Sequence, residues 1–233
     1  MSVITKPIIQ LESVQFSWKQ GLPVLLIDEL SVKAHEKLFI YGSSGSGKTT
    51  LLGLIGGVLV PDSGSVSILG QSFNTLSLSQ RDHFRANHIG FIFQLFNLIP
   101  YLSIIENITL PLQLSDNRRH RLTEQSVNGI SEAERLVKQL GLYDPSLLKS
   151  PVTELSIGQQ QRVAAARALI GQPEIIIADE PTSALDEATR NDFIQLLFTE
   201  CQSANSTLIF VSHDISLKPL FDRSISLDKI NVK

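Results

Sequence analysis

Of 233 residues only one is cysteine, Cys201, which excludes an intramolecular disulfide and any thiolate metal cluster. It reads as a small residue on a helix face. Long apolar runs are missing as well: the longest, LLGLIGGVLV at 51–60, falls far short of the roughly 20 residues that span a bilayer. Residues 1–10, MSVITKPIIQ, lack a sustained apolar stretch and a small-residue cleavage site, so a cytoplasmic, non-exported chain is expected. Positive charge is scarce too. Twenty Lys and Arg stand against 23 Asp and Glu, a formal net charge of −3, without the broad basic face that nucleic-acid binding requires. No nucleic-acid partner is expected.

What the chain does have is apolar content, 42% of residues, sufficient for a full core in one large or two small domains. Short β-like runs recur at 8–16, 37–41, 64–69, 88–93, 174–179, 207–212 and 223–227. Several, such as EIIIAD, are too uniformly apolar for half-exposed strands and read as strands of a parallel sheet covered on both faces. Helical patterns lie between them, at 48–56, 131–140, 158–170 and 186–202, which makes an α/β layout. From about 103 to 170 no strand pattern appears, so a helical subdomain inserted into the sheet domain is expected. The cluster NRRHR, 117–121, reads as a solvated loop in preference to a phosphate or lipid contact.

The sharpest motif is GSSGSGKTT, 42–50, which satisfies GxxxxGK[ST] through Gly42, Gly47, Lys48 and Thr49. It follows the strand KLFIY and opens a helix. In such a loop the backbone N–H groups of Gly42, Ser43, Ser44, Gly45, Ser46, Gly47 and Thr50 curl around phosphate oxygens, helped by the helix N-terminus. Lys48 reaches the β and γ phosphates and Thr49 ligates magnesium. A triphosphate site also needs a carboxylate for the metal and a group to orient water. IIIADEPTSALD, 175–186, supplies Asp179 for the metal and Glu180 as general base, at the C-terminal end of a buried strand where open α/β sheets bind ligands. Gln94 and His213 close two further strands and are candidates to reach the γ-phosphate or its water. Trp18, the only tryptophan, is either a stacking platform for adenine or a core or hairpin aromatic.

Taken in order, these motifs resemble the ATP-binding cassette (ABC) ATPases over nearly the whole chain: an aromatic A-loop residue (Trp18), Walker A (42–49), Q-loop (Gln94), signature (155–159), Walker B (175–180), D-loop (183–186) and H-loop (His213). The resemblance implies a P-loop NTPase fold of one domain, 1–233, with a mainly parallel sheet core, an antiparallel β part and the helical insertion at 103–170. It implies ATP hydrolysis with Mg2+ held by Thr49, Gln94 and Asp179, and catalysis by Glu180, His213 and Gln94. It also implies an ATP-dependent head-to-tail homodimer in which Ser156, Gly158 and Gln159 of one copy meet the nucleotide of the other. A transmembrane permease on a separate chain would hold the protein at the inner face of the cell membrane.

One departure from the family pattern stands out. The usual LSGGQ is LSIGQ here, with Ile157 in place of the first glycine. FQLFNLIPYLSIIENITLPL, 93–112, is similar to the segment after the Q-loop in lipoprotein-release, macrolide-efflux (MacB-like) and cell-division ABC ATPases, where a coupling helix docks. Phe96 and Leu98 are either its apolar contacts or core. Against that branch, the D-loop reads TSALD rather than TGNLD. The competing readings are an importer subunit, a soluble ABC ATPase acting on nucleic acid or ribosomes, and a regulatory module without turnover. Glu180 and His213 weigh against the last.

Overall fold

The structure, a computed structural model, describes residues 6–19, 21–142, 148, 150–183 and 185–232. In chain order its strands and α-helices are β1 (Ile9–Lys19), β2 (Leu22–Val32), β3 (Lys37–Tyr41), α1 (Lys48–Ile55), β4 (Ser63–Ile68), β5 (Gln71–Ser72), α2 (Leu78–His88), β6 (Ile89–Ile92), α3 (Ile104–Leu114), α4 (Asp116–Glu124), α5 (Gly129–Gln139), α6 (Ile157–Leu169), β7 (Ile175–Asp179), α7 (Glu187–Ser203), β8 (Thr207–Val211), β9 (Arg223–Ser226) and α8 (Leu227–Ile230). They form two compact units, Met1–Arg85 with Thr207–Lys233, and Ala86–Ser206.

In the first unit an antiparallel sheet runs in the order β2-β1-β4-β5. Its buried side chains alternate, as a sheet with one covered face requires: Ile9, Leu11, Val14 and Phe16 of β1 sit opposite Val32, Leu30, Ile27 and Leu25 of β2. The alternation changes phase around Ser13, whose φ is 49°, and the register of β4 on β1 slips between Glu12 and Gln15. A Cβ on Gly64 would lie 2.2 Å from the Ser13 carbonyl oxygen, so this irregularity admits only glycine opposite it. The strand β2 has no counterpart in the sequence-based expectations. LPVLLIDELSV mixes apolar and acidic residues without a clean period, and pairing with β1 decides its conformation.

The same unit holds a parallel trio in which β3 pairs with β8 on one side and β9 on the other. Leu38, Phe39 and Ile40 are wholly buried, as are Leu208, Ile209, Phe210 and Val211. Such uniform burial is what parallel strands covered on both faces need. The rings of Phe39, Phe210 and Phe221 form one cluster with centroid separations of 5.0 to 6.2 Å.

The second unit carries the parallel pair β6 and β7, with helices α3, α4, α5 and α6 packed on one another. Between 103 and 170 no strand occurs among the described residues. A capping box starts α3: Ser103 Oγ accepts from the Glu106 N–H, and the Glu106 carboxylate accepts from the Ser103 N–H at 2.8 Å. Gly90 lets β6 approach α6 closely, because a Cβ there would fall 2.2 Å from the Ala168 carbonyl oxygen.

The NRRHR cluster is a correction to the sequence reading. It is part of α4, not a solvated loop, and Arg118 is 2% exposed. Its guanidinium donates to the carbonyls of Ala86 (2.8 Å), Ile89 (2.6 Å), Ala168 (3.3 Å) and Ile170 (3.0 Å). The four carbonyls come from the last turn of α2, the start of β6 and the end of α6, and one five-donor side chain bonds all of them. Burial, reinforced by the nearby Arg121 charge, pulls the Arg118 pKa down to about 10. Arg121 in turn donates to the Glu174 carboxylate at 2.6 Å.

Candidate active site

The residues singled out from sequence fall in both units. In the first, β3 delivers the chain into the loop 42–47, and α1 begins at Lys48 with Gly47 as its N-cap in the left-handed region, φ 101°. A Cβ on Gly47 would lie 2.8 Å from Leu25 Cδ2, so both backbone angle and packing require glycine there. No acid occupies the first turn of α1, which leaves the positive end of the helix dipole available to an anion. The Lys48 ammonium donates to the carbonyls of Gly42 at 2.9 Å and Ser43 at 3.0 Å. Ser46 Oγ is buried and has no hydrogen-bond partner.

Trp18 stands beside this loop. It is 64% exposed, with its Nε1 donating to Thr50 Oγ1 at 3.4 Å and its ring edge-on to Phe16 at 5.1 Å. A core role for this tryptophan is thereby excluded. His213 is exposed and follows β8, whose Val211 pairs with Ile40 of β3, so His213 and the phosphate loop leave the same end of neighbouring parallel strands. The Ser212 N–H donates to the Ile40 carbonyl and extends that pairing one residue further.

The second unit repeats the arrangement. Ile92 of β6 pairs with Ala178 of β7, so Gln94 and the pair Asp179 and Glu180 also leave one common strand end. Gln94 is exposed, Asp179 half-buried and Glu180 9% exposed. Glu180 has φ 46°, a left-handed conformation that costs a non-glycine residue on the order of 1–3 kcal/mol. The loop after it is pinned by Gln161 of α6, whose buried Nε2 donates to the Pro181 carbonyl at 2.5 Å. Beyond Gln94, Phe96 and Asn97 are also left-handed, with φ 60° and 49°. The Arg167 guanidinium donates to both of their carbonyls, at 2.5 and 2.6 Å, and burial pulls its pKa below the ordinary value. Phe96 is buried, which favours the core reading of that ring; Leu95 and Tyr101 are the most exposed apolar side chains of the stretch, 82% and 81%, with Phe93 exposed to a lesser degree.

Signature residues form the start of α6. Ser156 is the N-cap, its Oγ accepting from the Gln159 N–H at 3.3 Å, while Gln159 Oε1 accepts from the Ser156 N–H at 2.9 Å. This capping box sets the first turn at Ile157, one residue ahead of the expected start, and Ile157 is 57% exposed. Within the chain a Cβ on Gly158 would meet only Leu185, at 3.8 Å, an ordinary contact. Of the D-loop, Ala184 lies outside the described residues.

The ABC transporter family profile matches residues 26–183, which include the phosphate loop, Gln94, the signature and the pair Asp179 and Glu180. The chain belongs to the ABC transporter ATP-binding family. It is 40% identical to the "Uncharacterized ABC transporter ATP-binding protein YbbA" of Escherichia coli K12, over 94% of each chain. It is 36% identical to the "Lipoprotein-releasing system ATP-binding protein LolD" of Hydrogenovibrio crunogenus, over 94% of this chain and 93% of that one. A third relative, the "Macrolide export ATP-binding/permease protein MacB" of Rhodopirellula baltica, is 36% identical over 94% of this chain, which covers 31% of the longer protein. Among solved structures, the dimeric ATP-binding cassette MJ0796, in a post-hydrolysis state bound to ADP and Pi, superposes with a TM-score of 0.82 at 36% identity, covering 94% of this chain and 93% of that one.

This ABC cassette is an ATP-binding, ATP-hydrolysing subunit close in sequence to LolD and MacB. Sequence reasoning missed several residues that support its site: Gln161, Arg167, Asp228 and Asn231. Gln161 and Arg167 lie in a helix whose apolar pattern gave them no distinction, and Asp228 and Asn231 lie some 180 residues from the loop they touch. No helix among the described residues is long and apolar enough to cross a membrane.

Proposed function

We propose that this cassette powers a permease carried on a separate chain, in an export or lipoprotein-release system of the MacB-like type, and works at the inner face of the cell membrane. The observation that carries the reading is the phosphate loop, an acid-free helix N-terminus preceded by left-handed glycines with the Lys48 ammonium held at its mouth. Residues 42–50 bind the phosphates and Trp18 stacks on adenine. Glu180 polarises the attacking water, and Gln94 and His213 act at the γ-phosphate and its water.

Thr49, Gln94 and Asp179 offer a hydroxyl, an amide oxygen and a carboxylate, the all-oxygen donor chemistry that magnesium accepts. Together they would hold the ion, which neutralises charge on the β and γ phosphates when bound. The chain would form an ATP-dependent head-to-tail homodimer, in which Ser156, Gly158 and Gln159 reach the partner copy's nucleotide. Its support is that packing within the chain does not demand glycine at 158, and that MJ0796 is a dimeric cassette. The helical part at 103–170 is the inserted subdomain of a single ABC ATPase domain, and the exposed Leu95 and Tyr101 give its permease contact. LolD, nearly equal in length to this chain, supports the separate permease; MacB, an ATP-binding/permease protein by name, supports the transport class.

Glu180→Gln tests the reading, because it removes the base and keeps the phosphate contacts. Turnover should fall by about 10²–10⁴-fold with ATP still bound, and gel filtration with ATP should show a dimer. Hydrolysis at the parent rate, or a monomer with ATP bound, would remove Glu180 from this role.

A further inference from the structure

Asp228, in the short C-terminal helix α8, accepts two hydrogen bonds from one residue of the phosphate loop. Its Oδ2 takes the Ser43 backbone N–H at 2.9 Å and its Oδ1 takes Ser43 Oγ, also at 2.9 Å. The Lys48 ammonium meanwhile bonds the Gly42 carbonyl at 2.9 Å. That carbonyl and the Ser43 N–H belong to one peptide unit. The unit is planar and trans, so its C=O and N–H point in opposite directions. A carboxylate on the N–H therefore fixes the orientation in which the C=O meets the ammonium. Turning the peptide over would lose both charge-assisted bonds at once.

Further contacts show how closely the C-terminal segment fits the loop. Asn231 Nδ2 donates to the Ser46 carbonyl at 3.2 Å and to the Val24 carbonyl at 2.9 Å, while its Oδ1 accepts from the Leu26 N–H at 2.8 Å. A Cβ on Gly42 would lie 2.8 Å from Ser46 Oγ and 3.3 Å from Asp228 Oδ2, so the loop has no room to shift toward α8.

We propose that Asp228 is a positioning residue for the ATPase: through the 42–43 peptide unit it holds the Lys48 ammonium at the phosphate loop, with Asn231 as a second brace. Asp228 touches no reacting atom. Its effect is on how well the loop is preformed before the triphosphate arrives, and that appears in nucleotide affinity rather than in the chemical step. The inference rests on the role proposed for Lys48.

Asp228→Ala and Asp228→Asn in the full chain test it by two measurements. Asp228→Ala should raise KM for ATP about tenfold, the scale of one charge-assisted hydrogen bond, with kcat within about twofold of the parent. Asp228→Asn, which keeps one acceptor oxygen, should lie between. Damage to folding alone would lower kcat through the active fraction and leave KM where it was. The second measurement is amide hydrogen exchange over 42–48 without nucleotide, which should quicken in Asp228→Ala because the Ser43 N–H loses its acceptor. Parent-like exchange overturns the brace whatever the role of Lys48, and parent-like KM with quickened exchange overturns its part in nucleotide binding.

Discussion

The indole Nε1 of Trp18 donates to the hydroxyl of Thr50, in the first turn of α1, while the side chain as a whole stays exposed. An aromatic surface is thus tethered to the helix that starts at the phosphate loop. Trp18 is the only tryptophan in the chain, so intrinsic fluorescence reports this position alone. Titration with ATP should change it saturably. Trp18→Ala should weaken ATP binding by about 1–2 kcal/mol, roughly 5- to 30-fold in Kd, measured by calorimetry. Equal affinity in variant and parent would remove the stacking role.

A second expectation concerns the buried guanidinium of Arg118. Gly171 has φ +70°, and a Cβ there would sit 2.5 Å from Arg118 Cβ. Gly171→Ala should therefore cost stability twice, through the backbone and by displacing a side chain that satisfies four carbonyls. A loss of about 1–3 kcal/mol is expected in urea unfolding. Arg118→Met should lose more, on the order of 3–5 kcal/mol, because buried carbonyls are left without donors. A Gly171→Ala protein as stable as the parent would contradict the packing described.

The third expectation is a pH dependence. Burial works to raise the pKa of Glu174, but the His88 ring at 3.1 Å and Arg121 together hold its carboxyl below the ordinary value of 4.5. A carboxyl depressed in the folded state adds stability that is fully present above that ordinary value, and that stability is lost as pH falls through the lower folded value. Thermal unfolding followed downward from pH 6 or so should show this acid limb. Glu174→Gln should flatten it and lower stability at neutral pH; an acid limb of unchanged steepness would assign the dependence to other carboxyls.

Much of the site is legible in the chain because its parts are local. The expected strand 37–41 coincides with β3, and the helix expected at 48–56 is α1 to within one residue. Glycine spacing, a following lysine and a helix start interact over a few residues, so their pattern survives in one dimension. The same holds for Ser156 and Gln159, whose capping box needs only an i, i+3 spacing. Antiparallel β2 was less legible: its side chains gain their alternation only against β1.

By itself, then, the sequence determined the family, the α/β layout and the identity of the phosphate-loop and strand-end groups. Tertiary structure alone decided which side chains support them. NRRHR has the composition of a surface, yet backbone carbonyls from Ala86, Ile89, Ala168 and Ile170 converge on Arg118 and repay its desolvation. Trp18 is as apolar as any core residue, yet the end of the hairpin places it outside, beside Thr50. Asp228 looks like one more surface acid until β9 returns beside β3 and sets it against Ser43. Each outcome depends on a partner distant in the chain, and hydrogen bonding and burial act on distance in space, whereas pattern and propensity act on neighbours in sequence.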